Sequence, residues 1–157
     1  MIESAKANHW IQLIGIFGVL AGLVFLGFEI QQNTRAVQNE SYLSVMALLI
    51  DHQSTIIADE KFSRIVMTGE DSPADLSPEE WYRFSEAMLG RLGVWEYLYL
   101  GRQEGSVTDT TWAAYEPYYL GIICKPGYRR WLGEYGTLFA PSFTDYLDTT
   151  VLLNCVD

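Results

Sequence analysis

The sequence predicts an all-α protein in which one N-terminal transmembrane helix precedes a compact soluble helical bundle. Three observations predict it. From Trp10 to Phe28 the chain reads WIQLIGIFGVLAGLVFLGF, with Gln12 the only strongly polar residue. At ~1.5 Å per residue this run covers about 28 Å, the thickness of a bilayer's hydrocarbon core. Downstream, apolar residues recur at three- and four-residue steps, which is helical spacing. No segment shows the alternation of a half-buried strand. The expected organisation is a tail over 1–9, the membrane helix over 10–29 and a soluble helical domain over 30–157.

Trp10 stands at one end of the span, where an interfacial ring belongs. Glu29, Ile30, Gln31 and Gln32 follow the span, and they make a poor signal-cleavage site, so the segment reads as an uncleaved anchor. At about 100° per residue, Gly15, Gly18 and Gly22 fall within one narrow sector of the helix, with Glu29 at its edge. Gly18 and Gly22 form a GxxxG pair. Small residues let membrane helices approach closely, so this face predicts self-association or docking on a partner helix. Glycine is also common in membrane helices for no such reason. Lys6 on one side and Arg35 on the other leave the positive-inside rule nearly balanced.

Residues 33–58 continue or restart the helix, with Val37, Leu43, Val45, Leu48, Leu49, Ile56 and Ile57 as an apolar stripe. A short turn of helix is expected over 60–68 before Gly69, then a loop over 70–76 around Pro73. The next helix has the strongest start signal. Ser77 can cap it, Pro78 suits its first position and Glu80 completes a capping box. Trp81, Phe84, Met88, Leu92, Trp95 and Tyr99 form its apolar face, and Gly105 stops it. Asp109 or Thr110 opens a further helix carrying Trp112, Tyr115, Tyr119, Leu120 and Ile123, with Pro117 kinking it or sitting in its first turns. Pro126–Gly127 is expected to break the chain, before a short helix with Arg129, Arg130 and Trp131. Pro141–Ser142 opens a last helix to about Leu153.

Composition excludes some functions. The net charge is −10, and the longest basic run is Arg129–Arg130. Phosphate backbones demand clustered Lys and Arg, so nucleic acid is not an expected partner. The expected partners are another copy of the chain or another membrane protein, with the bilayer contacted through 10–28. Two cysteines, Cys124 and Cys155, could pair, but two are no framework and match no metal motif, and the plainer reading is two small core residues.

The sequence resembles an uncharacterised family of small bacterial single-span membrane proteins. The resemblance is carried by Gln32–Asn33–Thr34–x–Ala36 after the span and by Leu76–Ser77–x–Glu79–Glu80 at a helix start. It continues through Glu96, Tyr99, Gly105, Trp112, Pro126–Gly127, Trp131 and Phe143. It implies an anchor helix with a helical domain in the bacterial inner membrane, and no activity, cofactor or substrate. Relatives more often carry a base where Gln31 stands here. The domain is expected on the cytoplasmic side.

Catalytic signatures are missing. His9 and His52 have no second histidine four residues on and no nearby cysteine, so no metal or other cofactor is expected. No GxSxG, P-loop or GxGxxG pattern occurs. The acidic pairs Asp59–Glu60, Glu70–Asp71 and Glu79–Glu80 read as solvated surface. Glu96 differs, because it projects near the apolar face beside Tyr99. A carboxylate there needs a partner, such as Arg91, Arg102, Arg129 or a tyrosine hydroxyl. The sequence therefore favours a non-enzymatic, membrane-anchored interaction protein, self-assembling or accessory to a larger complex. Two alternatives stand beside it. One is a homo-oligomeric cation channel with Gln12, Glu29 and Asn33 facing water. The other is a tethered sensor or enzyme with an aromatic pocket near Glu96 and Tyr99.

Overall fold

A computed structural model describes residues 2–155, with side chains described at residue 10 and over 12–155. The readings that concern the side chains of Lys6 and His9 lie outside the described residues. The architecture is all-α, with six helices and no strand among the described residues. The chain divides into two units, Met1–Asn39 and Glu40–Asp157.

Helix α1 spans Ile2–Ala58. Residues 2–9, expected as a tail, are helical. Neither glycine nor proline occurs among residues 2–9, and no proline interrupts the chain before Pro73, so nothing local stops the helix. In the first unit the apolar side chains from Ile14 to Ile30 are more than half exposed to a surface with no protein on it. One stretch of the described residues is long and apolar enough to cross a membrane, with mean hydropathy 2.3 and none of it buried.

In the second unit, residues 40–58 of α1 bury Ser41, Val45 and Ile56. Leu43 and Ile57, expected on the same stripe, are exposed because they lie on other faces of the helix, and Leu48 is exposed in the lining of a groove. Helix α2 (Glu60–Asp71) begins at Asp59, whose carboxylate accepts from the Phe62 N–H at 3.1 Å. It runs further than the turn expected over 60–68. A 3-10 turn over Pro73–Asp75 replaces most of the expected loop.

Helix α3 (Pro78–Glu104) starts with the full capping box, Ser77 and Glu80 each bonding the other's backbone N–H. Gly105 ends it at φ 77°, the left-handed conformation that glycine adopts without steric cost. Helix α4 (Asp109–Ile123) is capped by the Thr108 side chain, one residue before the expected opening, and carries Pro117 within it. Helix α5 (Pro126–Tyr135) takes Pro126 in its first turn. So Pro126–Gly127 begins a helix where a break was expected. Helix α6 (Pro141–Tyr146) is short and passes into a π-turn over Leu147–Val151 and a 3-10 turn over Leu152–Asn154.

The core is aromatic. Trp95 stacks on Tyr119 at 4.9 Å between ring centroids and meets Phe143 edge-on at 5.6 Å. Tyr99 stacks on Tyr146 at 4.8 Å. Such pairs contribute about 0.5–1.5 kcal/mol each beyond the burial of their surface. Three of the tryptophans, Trp95, Trp112 and Trp131, are essentially enclosed.

Two readings need correction here. Cys124 and Cys155 are joined in a disulfide, with Cα atoms 5.3 Å apart. The π-turn and 3-10 turn return the chain end to the end of α4, and no linear spacing announces that return. Glu70 is not solvated surface, since its carboxylate is largely enclosed and paired with Arg91.

Candidate functional site

Glu96 and Tyr99 lie on α3, and their roles are separate. The Glu96 carboxylate accepts the Ala140 backbone N–H at 2.5 Å. Ala140 is the residue before α6, so this carboxylate caps the helix from outside in a place where the local sequence offers no side-chain cap. Its partner is a main-chain group, not any of the arginines or tyrosines expected. Tyr99 packs among Trp112, Phe143 and Tyr146. Together the two residues fix α6 on α3. No cavity is lined by either residue among the described pockets.

The buried charge lies one helix face away. The Arg91 guanidinium on α3 donates to Glu70 of α2 at 2.6 Å and to the Tyr128 hydroxyl of α5. Lys125 donates to the other oxygen of Glu70 at 2.7 Å and pairs with Asp71 at 3.2 Å. Burial alone would lower the Arg91 pKa, but Tyr128, Tyr118 and Glu70 outweigh it and hold the group above its ordinary value. Burial pushes the Tyr128 hydroxyl up, so it stays neutral. This cluster ties α2, α3 and α5 together. Every charge in it has an opposite partner, which marks it as a structural network.

A groove of about 340 Å³ lies between α1 and α3, with Phe62 of α2 also lining it. Ile56, Ala87 and Val94 form its buried apolar floor. Asp51 and Glu86 stand exposed among its lining residues, and neither makes an ion pair among the described residues. His52 also lines it, and its Nε2 is shielded from solvent with no hydrogen-bond partner. The ring lies against α3 at Gly90, where an added methyl would stand 3.0 Å from Nδ1. Burial lowers the His52 pKa, Arg91 lowers it further, and Asp51 opposes them. The imidazole is thus neutral at physiological pH. Its neighbours along the chain give His52 no partner, and its surroundings come from elsewhere in the fold. Gly90 meets it from another helix, and Glu86 of that helix lines the same groove.

On the long apolar stretch of α1, Gly15, Gly18 and Gly22 are exposed, and a methyl group on any of them would meet open space. Glu29 is exposed as well. Among the described residues no cluster of His, Cys, Asp and Glu is arranged to hold a metal ion. Comparison with protein families, with curated proteins and with solved structures finds no match for this chain.

Proposed function

We propose that this chain is a membrane-anchored interaction protein, which self-assembles or joins a larger membrane complex through the glycine face of its span. The observation that carries the reading is the open surface over Gly15, Gly18 and Gly22 within an exposed apolar helix. In lipid, helices gain no hydrophobic energy by associating. Close backbone approach over small residues, with the dispersion contact it permits, is the favourable term available to them. Glu29 at the edge of this face favours a protein or water neighbour over acyl chains.

Within this reading the helical domain faces an oxidising compartment, the reverse of the cytoplasmic side expected from the sequence. The support is the Cys124–Cys155 disulfide, since reducing cytosols keep thiols unpaired. In a bacterial inner membrane that compartment is the periplasm.

The test is the mass of the complex extracted gently from native membranes, for wild type and for Gly18→Leu with Gly22→Leu. A defined oligomer or hetero-complex that the double variant loses is the expected result. A wild type that runs as a monomer overturns the assembly reading. For orientation, an impermeant maleimide applied to whole cells after mild reduction should label the chain through its two cysteines. Labelling only after lysis would return the domain to the cytoplasm.

A further inference from the structure

We infer that the groove between α1 and α3 is a binding site for a small amphipathic amine: an apolar body on the Ile56–Ala87–Val94 floor, its ammonium between Asp51 and Glu86. The site is separate from the glycine face and does not depend on it.

The volume, about 340 Å³, lies within the range of small-molecule pockets. The floor supplies the apolar contact, and the Phe62 ring adds to it. The charge selects the ligand. The lining residues include two carboxylates and no Lys or Arg. Neither carboxylate is neutralised by a partner within the protein. An anionic ligand would meet repulsion there, and a neutral one would leave that field unused. Two bases stand near the groove and both are engaged: Arg83 lies over the Phe62 ring at 5.0 Å and pairs with Asp59 at 3.3 Å, and Arg91, which acts on His52, pairs with Glu70 at 2.6 Å. Both are therefore paired elsewhere, which leaves the two carboxylates to a ligand.

His52 is the reporter. The chain has two histidines, His9 and His52, so ring-labelled histidine gives two signals and His9 serves as the internal control. The full-length protein in lipid nanodiscs is titrated with 2-phenylethylamine, 2-phenylethanol and phenylacetate, with empty nanodiscs as the blank. The amine is expected to shift the His52 signal saturably and leave His9 in place. The alcohol should bind more weakly and the acid not at all. Asp51→Asn with Glu86→Gln, both on exposed unpaired side chains, should weaken the amine about tenfold.

Equal affinity for amine and alcohol, or unchanged amine affinity in the double variant, overturns the inference. So does the absence of a His52 shift at saturating amine. A response to a basic amphipathic peptide but not to the amine also overturns it, and makes the groove a protein-docking surface instead.

Discussion

Gly127 rests directly on the main chain of Gly69: a methyl group at position 127 would overlap the Gly69 carbonyl oxygen and stand 2.8 Å from its carbonyl carbon. The first turn of α5 thus crosses the last turns of α2 backbone to backbone. Gly69 is in turn pressed by the Phe84 ring, which a methyl group at position 69 would overlap. Neither helix can yield toward the core. Gly127→Ala is expected to destabilise the domain by about 3 kcal/mol, from overpacking against rigid backbone. Thermal unfolding measures it, and a loss under about 1 kcal/mol would show that the helices can separate cheaply.

The same crossing brings Glu70 to Arg91. Both side chains are largely enclosed, at 14% and 10% exposure. Glu70→Ala leaves the guanidinium unpaired in the interior and should cost about 3–5 kcal/mol. Removing both charges, as Glu70→Gln with Arg91→Met, should cost less than Glu70→Ala alone. Denaturant unfolding of the single and double variants gives the coupling. Additive losses would mean the pair is no unit.

Glu96 is a helix cap. Glu96→Ala should lower stability by about 1–2 kcal/mol through the orphaned Ala140 N–H. Glu96→Gln keeps an acceptor and should recover most of that. Equal losses in the two variants would point to the negative charge itself, a requirement that capping does not explain.

The disulfide closes a loop of 31 residues. By chain entropy it should stabilise the domain by roughly 3–4 kcal/mol. Cys124→Ser with Cys155→Ser, or reduction of the wild type, should lower the unfolding midpoint accordingly. The reduced wild type and the double variant should then unfold alike.

His52 carries a pH dependence of known sign. Its folded pKa is lowered from 6.5, first by burial and then by Arg91 on α3, with Asp51 opposing. Folding therefore disfavours the imidazolium. The domain keeps its full share of this stability above pH 6.5 and loses it as pH falls from there toward the lower folded value. Beneath the folded value the loss is complete and levels off. Histidine ring signals followed against pH should place His52 below 6.5, and a midpoint at or above that value would contradict the burial argument.

Local chemistry made much of this protein readable in the residues alone. The apolar run to Phe28 needs only length and hydropathy. The Ser77–Glu80 box needs only residues three apart, and both bonds are present. Gly105 needs only its own backbone freedom, and its φ is 77°. The aromatic face of α3 follows from helical period, and Trp81, Phe84, Met88, Leu92 and Trp95 are buried as spaced.

What the tertiary structure decided is which residues distant in sequence meet. Glu70 with Arg91, Glu96 with the Ala140 N–H, Cys124 with Cys155 and Gly127 with Gly69 all join different elements. Helical periodicity says which face is buried, but the crossing of one helix on another is set by side-chain volume at the contact. Two glycines permit the approach of α5 to α2, and that approach turns an acidic pair that reads as surface into the partner of a buried arginine.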